Sequence, residues 1–206
     1  MKLSINPYIG LKRVLAIGFF VIGLLGCANQ VTTVPTENWQ VEIAPDVWVS
    51  MPEPSDLGYT LDASQLISAK WQGQTNQLPV QLQVNEDKLV LVGFSSWGTR
   101  ILSLEYQDDK VDSQILAGID SQEIMPEKIL FNLMLTLWPV ESWEQPLSNI
   151  GWTLVDTPKH RQLLNVNGEA VIDIQYSAMP HLEGEILFSD NKLGYFISIK
   201  TLTYEQ

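Results

Sequence analysis

The sequence predicts a mainly β protein (α+β class), a strongly curved antiparallel sheet of about nine to eleven strands with an apolar helix in its concave face. Three observations predict it. From Trp39 onward, apolar and polar residues mostly alternate with period two, as in strands with one buried face. Short groups of Asn, Asp and Gly separate the runs, which favours antiparallel neighbours over crossover connections. One segment, Pro126 to Pro139, breaks the period and is apolar almost all round.

In chain order, Ile67, Ala69 and Trp71 alternate with Ser68, Lys70 and Gln72, and Gly73 closes the run. Val80, Leu82 and Val84 alternate with Gln81 and Gln83 and end at Asn85-Glu86-Asp87. Lys88 to Phe94 is nearly continuously apolar and predicts a central strand covered on both faces. Leu102, Leu104 and Tyr106 alternate next, and Gln107-Asp108-Asp109-Lys110 turns the chain. Leu163–Val166 and Glu169–Tyr176 flank Asn167-Gly168, a hairpin signal for a type I′ turn with φ > 0 at both central residues. Ile172, Ile174 and Tyr176 share one face of that second run. Glu185–Phe188 and Tyr195–Tyr204 add strands around Ser189-Asp190-Asn191. A sheet of this many strands must curl, split or close.

In the exceptional segment, Pro126 suits a first helical turn, Glu127 favours the positive end of the helix dipole, and Pro139 stops the run. Beyond Glu127, its polar residues are Lys128, Asn132 and Thr136, four apart, so they form one narrow stripe. The helix therefore belongs in the hollow of the sheet with that stripe pointing out.

The start of the chain reads as targeting. Lys2, Lys12 and Arg13 precede Val14 to Gly26, 13 residues without a charge. That is about 20 Å of helix, short of the ~20 residues that span a bilayer, and it fits a secretory signal. The run ends in Leu24, Leu25, Gly26 and Cys27, the single cysteine of the chain, and resembles the lipobox of bacterial lipoproteins. The resemblance implies a diacylglyceryl group on the Cys27 thiol, cleavage before Cys27, and acylation of the new amine with a palmitate-class chain. Such chains bind at about 0.8 kcal/mol per buried methylene and anchor the protein to a membrane. Ala28 rather than Asp follows the cysteine, which the sorting rule of enteric bacteria reads as outer membrane. Ala28–Asn38 is polar and without period, a tether reaching at most about 35 Å. The expected organisation is a signal peptide at 1–26, lipidated Cys27 and tether at 27–38, and one β domain at 39–206, facing the periplasm of a Gram-negative cell.

Twelve basic and 24 acidic residues among 206 give a net charge of −12, the wrong sign for a phosphate-binding surface, so no nucleic acid partner is expected. With one cysteine and two histidines, His160 and His181, no metal site or cofactor is expected. Gly93-Phe94-Ser95-Ser96-Trp97-Gly98 departs from a nucleophile elbow, because Trp97 stands where the second Gly belongs. Asp108-Asp109 and Glu183/Glu185 read as loop carboxylates, and no catalytic residue is assigned.

The curled sheet with an apolar helix in its hollow resembles the LolA/LolB half-barrel, and the lipobox and Trp71-Gln72-Gly73 suit the LolB branch. LVLVGFSSWGTRILSLEY (Leu89–Tyr106), PEKILFNLMLTLWP (Pro126–Pro139) and LGYFISIKTL (Leu193–Leu202) resemble a proteobacterial lipoprotein family with a domain of unknown function. Its members accompany aryl-polyene and fatty-acid-synthase-like pathways, which implies a compartment and a fold rather than a reaction.

Trp71, Trp97, Trp138, Trp143 and Trp152 read as core or as the lining of a groove. In the groove reading, Trp71, Leu82, Leu102, Leu104, Ile172, Ile174, Ile197 and Ile199 build the wall. Leu130, Phe131, Met134 and Trp138 form a displaceable plug, and Gly93 and Gly98 allow a mobile rim around Trp97. The expected function is then non-enzymatic: an outer-membrane lipoprotein that binds a lipid, lipoprotein or aryl-polyene-type molecule and assists its transfer or insertion. Two alternatives stay open at this point. One is an interaction module with a filled core that docks on envelope transport or assembly proteins; the other is an enzyme acting on envelope lipid or glycan.

Overall fold

The computed structural model describes residues 40–71, 74–116 and 125–206. The lipobox residues Leu24, Leu25, Gly26 and Cys27 and the tether lie outside these residues, as do the side chains at 70–75. Among the described residues, twelve strands and two α-helices follow in order: β1 (Gln40–Ala44), β2 (Val47–Ser50), β3 (Leu61–Trp71), β4 (Gln74–Val84), β5 (Lys88–Phe94), β6 (Arg100–Gln107), β7 (Lys110–Ile115), α1 (Pro126–Leu137), α2 (Glu141–Ser148), β8 (Thr153–Thr157), β9 (His160–Leu164), β10 (Ala170–Tyr176), β11 (Glu185–Asp190) and β12 (Tyr195–Glu205). β1 and β2 pair only with each other, and the other ten form one antiparallel sheet in the order β7-β6-β5-β4-β3-β12-β11-β10-β9-β8. The edge strands β7 and β8 do not pair, so the sheet is open.

Contacts of α1 show how far the sheet curls. The helix packs on β6 and β7. Its last turn hydrogen-bonds to Arg161 on β9 and Tyr176 on β10. On a flat sheet, β7 and β9 lie eight strand spacings apart in this order, or about 38 Å at ~4.8 Å per spacing. A 12-residue helix is only about 18 Å long and ~10 Å wide, so the strands must wrap around it.

Period two sets the inner face. One cross-strand row runs Leu102–Gly93–Val80–Gln65–Thr201, and another runs Arg161–Ile174–Phe188–Ile197–Ala69. The outer face is polar: Gln83 donates to Asp62 at 2.7 Å, Gln81 also reaches Asp62, and Gln162 donates to Asp173 at 2.9 Å. Every buried hydrophobic residue described falls between Val41 and Ile199, inside the compact unit Pro35–Gln206, which therefore carries its own core.

Two local expectations are corrected. β5 is covered on one face only: Leu89 and Leu91 are buried, whereas Lys88, Val90, Val92 and Phe94 are half-buried. The type I′ turn is not at Asn167-Gly168, where Gly168 alone takes φ +75 and the Asn165 side chain accepts the amides of Asn167 and Glu169. It is at Asp108-Asp109, with φ of 50 and 54, in a two-residue loop between paired Gln107 and Lys110. Asp tolerates the left-handed region better than most residues, which is why this pair can replace Asn-Gly.

Candidate functional site

α1 leaves part of the hollow unfilled. Between the helix and the centre of the sheet lies a cavity of about 450 Å³. Its helical wall is Met125, Lys128, Ile129, Asn132, Leu133 and Thr136, which at spacings of three and four occupy one face. Its sheet wall is Gln65 and Ile67 of β3, Leu91 of β5, Phe188 of β11, and Tyr195, Ile197 and Ile199 of β12, with Leu193 from the β11–β12 turn.

That turn is built to hold Leu193 at the cavity. The buried Asp190 carboxylate accepts the amides of Lys192 at 2.9 Å and Leu193 at 2.8 Å. Gly194 then takes φ +70, a conformation that a side chain would strain.

The polar stripe of α1 does not point out, as its spacing predicted. Lys128, Asn132 and Thr136 all line the cavity, and Thr136 is only 1% exposed. One local and one long-range hydrogen bond make this possible. The Thr136 hydroxyl donates to the Asn132 carbonyl at 2.7 Å, and Asn132 Nδ2 donates to the Tyr195 hydroxyl at 2.8 Å. Opposite them, Gln65 Nε2 donates to Thr201 Oγ1 at 3.2 Å. Burial, with the nearby Asp190 charge, pushes the Tyr195 phenol up to about 12, so it stays protonated at neutral pH. Asn132 Oδ1 is buried without a hydrogen-bond partner among the described residues.

The opposite face of α1 is packed and its C-terminal end is pinned. Leu130, Phe131, Met134 and Trp138 are fully buried, and Phe131 meets Trp143 of α2 edge to face at 5.3 Å. Arg161, 3% exposed, forks onto the Asp156 carboxylate at 3.0 and 2.8 Å. Its remaining nitrogen donates to the carbonyls of Leu135 and Trp138, both at 2.8 Å. These are helix-terminal carbonyls with no partner inside the helix, and a cation suits that end of the dipole. The Tyr176 hydroxyl donates to the Thr136 carbonyl at 2.8 Å, and Trp138 Nε1 donates to the Glu53 carbonyl at 3.0 Å.

Of the wall expected from the sequence, the structure brings Ile197 and Ile199 to the cavity. Leu82, Leu102, Leu104, Ile172 and Ile174 share the concave face but are sealed in the core away from it. Leu102 and Leu104 are covered by α1, which packs on β6 and β7, whereas Ile172 and Ile174 lie on β10, where Ile174 pairs with Arg161 at the pinned end of the helix. Trp71 pairs with Gln74 through the backbone, and its side chain lies outside the described residues. The residues expected to form a plug are core anchors rather than cavity lining. Gly93 is a packing site, where an added Cβ would stand 3.2 Å from Leu78. The wall read from spacing lacks Gln65, Ile67, Leu91, Phe188, Leu193 and Tyr195, and the cavity takes the other face of α1, with Lys128, Ile129, Asn132, Leu133 and Thr136.

Trp97 is 92% exposed on the β5–β6 turn and does not line the cavity. Ser95 Oγ accepts the Thr99 amide at 3.1 Å, and neither histidine bonds to it. His160 contacts Asp173 at 2.7 Å. His181 stacks on Tyr176 at 3.7 Å, and burial lowers its pKa despite a bond to the Pro158 carbonyl. Among the described residues, no three His, Cys, Asp or Glu side chains are grouped to hold a metal ion.

Fold and site together define an open β half-barrel whose pinned helix roofs an apolar cavity. Residues 62–203 match the family described as protein of unknown function DUF3261, and the chain belongs to that family. No curated protein matches it. A LolA superfamily protein from Nitrosomonas europaea is similar at 8% identity and a TM-score of 0.42, over 76% of this chain and 94% of the other. A DUF1329 family protein from Desulfovibrio piger shares 8% identity at a TM-score of 0.36, over 76% of this chain and 93% of its own. A candidate outer membrane lipoprotein-sorting domain from Vibrio parahaemolyticus shares 7% identity at 0.35, over 71% and 84%.

Proposed function

We propose that this protein is a membrane-anchored, non-enzymatic carrier that takes one acyl-type hydrophobic molecule into the cavity under α1 and assists its transfer in the envelope. The observation that carries the reading is the cavity itself. Its volume of about 450 Å³ falls within the ~300–1,000 Å³ of small-molecule sites. Its lining is mostly Ile, Leu, Met and Phe, with a few polar groups. A methylene takes about the room of a liquid water molecule, ~30 Å³, so the space suits one acyl or polyene chain rather than the three of a lipoprotein. The anchor is lipidated Cys27, and the body faces the periplasm from the outer membrane on its tether. Among the described residues no helix is long and apolar enough to cross a membrane. A filled-core docking module would leave this volume without a role.

Native mass spectrometry of the Pro35–Gln206 unit, purified gently from a Gram-negative host, tests the cavity. A one-to-one adduct of acyl-lipid or polyene mass is expected. Ile197→Trp, which fills the cavity from the sheet side, should weaken binding of a fluorescent single-chain fatty acid at least tenfold while leaving the fold intact. A clean protein mass with no uptake of the added probe overturns the reading. For the anchor, Cys27→Ser in the full chain should abolish incorporation of labelled palmitate and move the protein from the membrane to the soluble fraction. Labelling that persists in the variant overturns the lipidation site.

A further inference from the structure

Resting on that reading of the cavity, we infer that its ligand is a single-chain amphiphile with an anionic head, bound tail inward with the head at Lys128. Lys128 is the charged residue of the lining, and no carboxylate shares that lining. It enters no ion pair among the described residues, a condition it shares with Arg100, Lys110, Lys159 and Lys200, but among these cations Lys128 is the one that borders the cavity. An unpaired ammonium at the edge of an apolar cavity favours a carboxylate or phosphate head and disfavours a cationic one.

The helix sets the direction of entry. Lys128 is in the first turn of α1, beside the exposed Met125, and Asn132 and Thr136 follow one and two turns deeper along the same face. The span from Lys128 to Thr136 is about 12 Å at ~1.5 Å per residue. One turn below Lys128, the unpartnered Asn132 Oδ1 can only accept a hydrogen bond. An anionic head, itself only an acceptor, is unfavourable beside it and is held at the Lys128 end. On the other side of Lys128, a second recess of about 370 Å³ carries Glu42 and Glu127. These carboxylates reduce the attraction and repel an anionic head from the recess, so the expected preference is moderate and belongs to the cavity side.

The test titrates the Pro35–Gln206 unit with three amphiphiles of equal chain length: dodecanoate, dodecanol and dodecylammonium. Dodecanoate is expected to bind about tenfold more tightly than the other two, between the value of an exposed ion pair and that of a charge-assisted hydrogen bond. Lys128→Gln should bring dodecanoate down to the level of dodecanol and leave dodecanol unchanged. Lys128→Glu should turn the preference toward dodecylammonium. If all three bind equally to the unaltered protein and Ile197→Trp weakens them alike, the head-group inference falls and the carrier reading stands. The same holds if Lys128→Gln keeps the preference. If none of the three binds, both fall.

Discussion

Arg161→Met is expected to destabilise the protein by about 3–5 kcal/mol, a large part of the ~5–15 kcal/mol that holds a typical domain together. The guanidinium is buried and makes four hydrogen bonds, two to Asp156 and two to the closing carbonyls of α1. Methionine fills much of the same volume, so the loss is electrostatic. It leaves the partly buried Asp156 carboxylate without its counter-ion and two helix-end acceptors without donors. The double variant Arg161→Met/Asp156→Leu separates these contributions. It removes the stranded charge and should recover part of the loss, but not all, because the Leu135 and Trp138 carbonyls stay unsatisfied. Arg161→Lys keeps the charge and loses the fork, and should fall between the single variant and the native protein. Urea unfolding followed by circular dichroism reads all three. An Arg161→Met variant within about 1 kcal/mol of native, the value of an exposed pair, overturns this account of how α1 is held.

What the sequence makes legible differs element by element. α1 was legible because local chemistry bounds it: Pro126 opens it, Pro139 follows it, and an apolar run fills the turns between. Curvature was legible from strand number, since a sheet of ten cannot stay flat. The direction of the polar stripe was not, because Tyr195 lies 63 residues from Asn132 and nothing local announces their bond. Arg161 did leave a trace. It stands in the apolar phase of β9, on the same face as Leu163, and a cation there must find buried acceptors. Pro79 lies inside β4, where the pairing with β5 has already ended at Val80, which is how a strand accommodates a residue without an amide hydrogen. The partition of the concave face into core and cavity was not legible at all. Leu104 and Ile197 are both strand residues on the apolar phase, and only the off-centre seat of α1 makes one core and the other wall.

That partition gives the second large effect. Leu104→Glu is expected to cost more than about 4 kcal/mol, because it places a carboxylate among fully buried side chains with no cation to meet it. Its neighbours across the strands are Leu91 and Ser113, and neither can compensate the charge. Ile197→Glu makes the same chemical change on the same face, but its side chain borders the cavity and is only partly buried. There the carboxylate can stay hydrated, so the protein should fold with a loss of about 1–2 kcal/mol, the ordinary size for a single substitution. Binding is where Ile197→Glu should fail, since the charge replaces an apolar wall and repels an anionic amphiphile approaching Lys128. Thermal unfolding and titration with the fatty acid probe, run on both variants, separate the two roles. Should Leu104→Glu fold normally and lose only the probe, the hollow extends under β6 and α1 is a loose roof over a much larger site. Should Ile197→Glu unfold as completely as Leu104→Glu, the space beside β12 is packing slack in the core, and the ligand must be sought elsewhere on the protein.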